Sequence, residues 1–180
     1  MEKYKCGLYI GRFQPLHNGH VSIIRQMAKE CETIIIAIGS ATECGTKRNP
    51  FSYALRAGMV HELFVQSGPS YENFYVIPIA DREHPSNDPS WGNYFIDRVK
   101  VYTGLLPDVI YEGVEDDRKN WYDNVAIPVK RVCRSKVPIS GTKVREYLLN
   151  DDRTSFNLVT PFTTHVIYEK LREELLRCYK

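Results

Sequence analysis

Two apolar runs flanking one amphipathic stretch constrain this chain more than any other feature. Cys6 to Ile10 is largely apolar on both of its alternating sets, and Thr33-Ile34-Ile35-Ile36-Ala37-Ile38 is β-branched or apolar throughout. Such runs suit strands covered on both faces. Between them Val21, Ile24, Met27, Ala28 and Cys31 recur at three-and-four spacing, with Arg25, Lys29 and Glu30 on the other side; this predicts a helix from Val21 to Cys31. A strand, a helix and a second buried strand form a βαβ unit, so the strands run parallel through a right-handed crossover.

The alternation continues to the end of the chain. Gly39 to Asn49 is a polar loop stopped by Pro50, and Ser52 caps a predicted helix to Gln66. A third strand is expected over Asn73 to Ala80, with Pro78 marking a late, edge-like end. After the polar loop Asp81 to Ser90, Trp91 opens a helix to Tyr102, followed by a strand over Asp108 to Glu112. Gly113 to Asn124 reads as a charged turn with a short helix, Ala126 to Cys133 as a fifth strand and Ser140 to Asn150 as a short helix. A last helix is expected from Pro161 to Tyr179, with Ile167, Leu171 and Leu175 in register. Together these predict one α/β domain, an open parallel Rossmann-like sheet with helices on both faces and a C-terminal helical segment. Ligands in such sheets bind beyond the carboxyl ends of the strands. The loops there are Gly11 to His20, Gly39 to Asn49, Asp81 to Trp91 and Gly113 to Asp123.

Composition narrows the function classes. With 180 residues, 43% hydrophobic and 26% charged, the chain can bury one core and stay soluble. A net charge of +2 without a clustered basic face argues against nucleic acid as a partner, and Lys47-Arg48 and Lys130 to Lys136 read as solvated surface. The cysteines Cys6, Cys31, Cys44, Cys133 and Cys178 are odd in number, lack metal-ligand spacing and follow no signal peptide, which suits reduced thiols in a cytoplasmic protein. The apolar run near Ile34 to Ile38 is too short to span a bilayer.

The turn from Gly11 to His20 joins a strand to a helix N-terminus, where free N–H groups and the helix dipole favour anions. His17 and His20 lie three residues apart at this helix start and would face the same way. As a metal pair they lack further ligands, because His61, His84, His165 and the cysteines have no useful spacing. One histidine could instead cap the turn. The third reading is donation to phosphoryl oxygens, with Gly19 permitting close backbone approach.

The run Gly11-Arg12-Phe13-Gln14-Pro15-Leu16-His17-Asn18-Gly19-His20 resembles the (H/T)-x-G-H signature of the nucleotidyltransferase superfamily. Its Gly-Arg-Phe-Gln-Pro lead-in is similar to that of the archaeal-type nicotinamide mononucleotide adenylyltransferases and of the adenylyltransferase half of adenylyltransferase–Nudix proteins. Ile139-Ser140-Gly141-Thr142-Lys143-Val144-Arg145 resembles the superfamily's I-S-x-T-x-x-R motif. Lys47-Arg48-Asn49-Pro50-Phe51 is similar to an Arg-(Asn/Asp)-Pro-Phe element facing the mononucleotide phosphate, and Asn87-Asp88-Pro89-Ser90-Trp91 to an Asn-Asp-x-x-Trp element whose tryptophan stacks on the pyridine. Asp81 matches an aspartate near the substrate ribose, and Gly113 with Asp116 resembles, more loosely, a Gly-x-x-x-Asp turn. Ser52-Tyr53-Ala54-Leu55-Arg56 departs from the usual Thr-Ala-Gly-Glu-Arg but keeps Arg56.

The resemblance implies transfer of the adenylyl group of ATP to nicotinamide mononucleotide, giving NAD and pyrophosphate. His17, His20, Arg12 and Arg145 would be catalytic, and Gly11, Phe13, Gly19, Gly113, Asp116, Ser140 and Thr142 would join them in binding ATP. Arg48, Asn49, Asp81, Asn87, Asp88 and Trp91 would bind the mononucleotide. Mg²⁺ would be held by phosphate oxygens and water rather than by protein side chains. Relatives are often multimeric, which leaves room for a homo-oligomer. The chain ends after one helix, so neither a Nudix domain nor a second hydrolase activity is expected. Rival readings are a transferase acting on pantetheine phosphate, a polyol phosphate or a flavin, and a nucleotide sensor without turnover. A dehydrogenase is excluded because no Gly-x-Gly-x-x-Gly follows a strand.

Overall fold

The computed structural model describes residues 3–67, 73–82, 90–113, 124–133 and 139–180. Strand β1 (Tyr4–Gly11) feeds α1 (Asn18–Glu30) and then β2 (Cys31–Ile38), α2 (Tyr53–Gln66) and β3 (Phe74–Pro78). The chain then crosses through α3 (Trp91–Thr103) to β4 (Val109–Gly113) and β5 (Val129–Val132). The five strands are parallel in the order β3-β2-β1-β4-β5, which leaves Pro78, with no N–H to donate, at the end of an edge strand.

This order decides which helix covers which face. The chain steps outward from β1 to β2 and β3, then returns to the other side of β1. With right-handed crossovers the outward helices α1 and α2 share one face and the return helix α3 takes the other. The core divides accordingly. Tyr9, Ile34, Ile36 and Ile38 pack with Ile24, Met27, Met59 and Leu63, whereas Leu8, Ile35 and Ala37 pack with Trp91, Phe95 and Val99. Gly7 leaves the central strand bare on the α1 face: a Cβ there would stand 2.6 Å from the Cys31 sulfur and 3.2 Å from the Tyr111 ring. Beside it the Glu30 carboxylate accepts hydrogen bonds from Lys130 Nζ and Tyr111 Oη, each at 2.6 Å, and from Gln26. Burial pushes the Glu30 pKa up, but these bonds outweigh it and hold the carboxyl below its ordinary range.

Several expected boundaries move. The first helix begins at Asn18 rather than Val21, so His20 falls in its first turn, and Cys31 opens β2. The third and fifth strands are shorter than expected, and the short helix expected within Gly113 to Asn124 falls on residues 114–123, outside the described residues. The single helix expected from Pro161 to Tyr179 is corrected to α6 (Phe162–His165) and α7 (Tyr168–Arg177), after α4 (Gly141–Leu149) and an additional helix, α5 (Arg153–Val159). Asp152 caps α5 by accepting from the Ser155 N–H at 3.0 Å. The β-branched run Thr163, Thr164, Val166 and Ile167 propagates a helix poorly, and α6 stops within it. Tyr168 then starts α7 fully buried, its hydroxyl donating to Asp151 at 3.0 Å. No helix among the described residues is long and apolar enough to cross a membrane.

Candidate active site

The turn between β1 and α1 gathers a cluster of aromatic rings at the carboxyl end of β1. His17 is the N-cap of α1 and His20 lies in its first turn; their rings stack at 3.7 Å between centroids and 27°. Phe13 lies beneath His20 at 4.6 Å, and Tyr9 meets Phe13 edge-on at 5.6 Å. The His17 N–H donates to His20 Nδ1 at 3.3 Å, so the neutral His20 ring carries its proton on Nε2. One nitrogen thus caps the helix and the other is a donor, which lets the capping and phosphate-donor readings hold in one side chain. Both histidines are buried, and so is Gly19 between them.

Helix α4 arrives from the far end of the chain with its N-terminus on the same turn. Ser140 Oγ caps it by accepting from the Lys143 N–H at 3.3 Å. Arg145 Nη1 donates to the Gln14 carbonyl at 2.7 Å and Nη2 to Thr142 Oγ1 at 3.2 Å. Burial lowers the Arg145 pKa, and the neighbouring positive charge of Arg12 lowers it further. Two guanidinium groups close enough to disfavour each other's charge form a place that an anion would relieve.

Two scaffold residues had no predicted task. Gln14 is buried, its amide donating to the Phe51 carbonyl at 3.1 Å and accepting from the Phe51 N–H at 3.0 Å, which ties the turn to the entry of α2. Arg56 is fully buried and donates to the carbonyls of Ser52 (3.2 Å), Arg12 (2.9 Å), Gly39 (2.8 Å) and Ser40 (2.9 Å). Phe13 and Ser40 both have left-handed backbones, with φ of 52° and 49°, an arrangement that costs about 1–2 kcal/mol for each such residue. Gln14 lay inside the quoted motif and Arg56 in the retained part of another; neither carried a signal of what it would touch.

The expected acceptor-side residues are spread more widely. Arg48 is exposed on the Gly39 to Asn49 loop, whereas Asn49 is buried and donates to Glu43 at 2.9 Å, closing that loop on itself. Asp81 is exposed beyond β3, and Gly113 ends β4. Trp91, only 6% exposed, packs against Phe95 at 5.3 Å and Tyr94 at 5.7 Å, within the core on the α3 face. Asn87, Asp88 and Asp116 lie outside the described residues.

Sequence comparison identifies the group to which this arrangement belongs. The profile of the cytidylyltransferase-like family matches residues 8–147, a span that contains both helix N-termini and every residue of the turn. The chain belongs to the cytidylyltransferase-like family. Among its relatives, the nicotinamide-nucleotide adenylyltransferase of Pyrobaculum arsenaticum is 34% identical over 170 residues, covering 92% of this chain and 88% of that protein. The enzyme of the same name from Methanococcus aeolicus is 33% identical over 146 residues, covering 81% and 78%. In fold the chain is similar to a bifunctional NMN adenylyltransferase/ADP ribose pyrophosphatase from Francisella tularensis solved with AMP and a manganese ion, with a TM-score of 0.71 and 22% identity over 96% of this chain. The chain spans 52% of the length of that bifunctional protein.

As a nucleotidyltransferase of this family, the chain brings imidazole, guanidinium and helix N-termini to the end of β1. Among the described residues no group of three or more His, Cys, Asp or Glu could hold a metal ion. The donors at the turn are cationic or N–H groups, so they fit a divalent ion that is carried on phosphate oxygens rather than one bound directly. A 470 Å³ groove between α2 and α6–α7, and a 310 Å³ hollow between Cys44 and Cys178, lie apart from this cluster and are lined by none of the turn's residues.

Proposed function

We propose that this protein transfers the adenylyl group of ATP to nicotinamide mononucleotide, forming NAD and releasing pyrophosphate. The supporting observation is the meeting of the α1 and α4 N-termini on one turn, with the stacked His17–His20 pair and Arg145 around it. The names of the relatives indicate the acceptor. A phosphate oxygen of the mononucleotide, already anionic at neutral pH, attacks the α-phosphorus of ATP in line; the new P–O bond forms as the bond to pyrophosphate breaks. No strong base is needed, so catalysis is positioning and charge stabilisation.

In this reading His17 and His20 hold the α- and β-phosphates, with His20 Nε2–H as donor. Arg12 and Arg145 hold the outer triphosphate together with the N-terminus of α4 at Ser140 and Thr142, while Gly11, Phe13 and Gly19 border the nucleotide. Arg48 faces the mononucleotide phosphate, and Asn49, Asp81 and Trp91 border its nucleoside. Mg²⁺ held on the phosphate oxygens, with no ligand from the protein, would supply charge neutralisation there. Each donor that strengthens in the transition state contributes about 2.7–4 kcal/mol, so His20→Ala is expected to lower kcat by about 10²–10³-fold.

The test is purified protein with ATP, Mg²⁺ and a panel of phosphorylated acceptors that includes the nicotinamide and nicotinate mononucleotides, scored for pyrophosphate and dinucleotide. No product with either pyridine mononucleotide, or unchanged turnover in a folded His20→Ala variant, would overturn the reading.

A further inference from the structure

Arg56 stands one layer behind the phosphate turn, and each of its hydrogen bonds goes to a main-chain carbonyl. Nη1 alone bridges Arg12 on the β1–α1 turn and Gly39 at the end of β2. The two peptides it joins, Arg12–Phe13 and Gly39–Ser40, each precede a non-glycine residue in the left-handed region. A trans peptide points its N–H opposite its C=O. Drawing both carbonyls in toward one guanidinium therefore turns the Phe13 and Ser40 N–H groups away from it, and neither N–H meets an acceptor among the described residues.

We propose that Arg56 is a positioning residue for phosphate recognition. It holds these two peptides carbonyl-inward, so that Phe13 N–H and Ser40 N–H are both presented to the phosphate of a bound nucleotide. Ser40 thereby becomes a binding residue through its main chain, and its serine side chain is incidental to the task. Positive charge from Arg56 reaches the same place, since Arg12 and Arg56 lie near enough for Arg12 to lower the Arg56 pKa beyond what burial does. The inference rests on the reading of the turn as a phosphate site.

Amide NMR of the wild-type protein, titrated separately with ATP and with nicotinamide mononucleotide, gives the direct test. The Phe13 and Ser40 resonances are expected to shift to saturation with at least one ligand. Arg56→Lys, shown to be folded by its thermal melt, is expected to raise the calorimetric Kd for that ligand about tenfold or more, because three ammonium protons on one nitrogen cannot reproduce the planar fork that serves four carbonyls. Adding Ser40→Gly is expected to recover part of that loss, since glycine adopts the left-handed conformation freely. Ligand binding that leaves both amides unmoved, an Arg56→Lys Kd within about twofold of wild type, or a double variant as weak as Arg56→Lys, overturns the positioning role. Should Arg56→Lys not fold, the wild-type amide titration decides alone. A wild-type protein that binds neither ligand refutes the underlying reading of the turn instead.

Discussion

A single methyl group at Gly141 tests how closely the two halves of the site are seated. An ideal Cβ on Gly141 would stand 2.9 Å from the Gln14 carbonyl oxygen and 3.4 Å from Arg145 Nη1. The carbonyl cannot step back freely, because Gln14 is clasped on both sides of its amide by Phe51 and its carbonyl already accepts Arg145. Helix α4 must give way instead. Two effects oppose each other in Gly141→Ala. Alanine restricts the unfolded chain and favours the helix, a gain of about 0.4–1 kcal/mol. Overpacking costs about 1–3 kcal/mol, and a backbone neighbour places this site in the upper half of that range. The net expectation is a loss of about 1–2.6 kcal/mol in a urea melt.

Activity should suffer more than stability. A shift of α4 lengthens the Arg145 bond to Gln14 and carries the guanidinium away from the histidine pair, so kcat/KM for adenylyl transfer is expected to fall about tenfold to a hundredfold. Gly58→Ala in α2 is the matched control: a Cβ there meets nothing within 4 Å, so it should show the stabilising effect of alanine alone. If Gly141→Ala is stabilised like the Gly58 control and keeps its kcat/KM, α4 is not seated on the turn as described.

Three further changes probe separate links. Ser140→Ala removes the acceptor of the Lys143 N–H and should cost about 1 kcal/mol in a denaturant melt, with Ser140→Asn restoring most of it. Trp91→Ala should destabilise by about 3–5 kcal/mol as a large-to-small core change. If the ring also borders the mononucleotide, KM for that substrate rises more than KM for ATP, whereas equal rises leave it a core residue. For Glu30 the folded pKa lies below its ordinary value of 4.5, so its stabilisation is present above that value and lost as pH falls through the folded pKa. Tyr111→Phe, which removes one donor to Glu30, should flatten the acid side of a plot of urea midpoint against pH, and an unchanged slope would show that the carboxylate is not held this way.

What could be read from the residues alone was whatever is written in side-chain period and local caps. The buried runs of β1 and β2, the amphipathic stripe between them, and the Ser52 cap are all local, and the structure places them as expected. In the C-terminal segment the register of Ile167, Leu171 and Leu175 suggests one continuous helix, whereas β-branched residues end α6 before α7 begins and Asp152 caps a separate α5. Gln14 and Arg56 were illegible for a different reason. Their partners are main-chain carbonyl and N–H groups up to 44 positions away, and main-chain atoms leave no trace in residue identity.

That choice of partners bears on the chemistry. A buried guanidinium held by carboxylates would be neutralised, and its field would no longer reach a ligand. Arg56 is held by four carbonyls, and Arg145 by one carbonyl and the Thr142 hydroxyl. Carbonyl dipoles satisfy the N–H groups without cancelling the formal charge; burial lowers the pKa of both arginines, and the positive charge of Arg12 lowers each further. On the proposed function, a polyphosphate would bring negative charge to both. A carboxylate engineered beside either arginine should therefore raise the urea midpoint of the unliganded protein while weakening ATP in calorimetry, since it would occupy electrostatically the place proposed for the substrate.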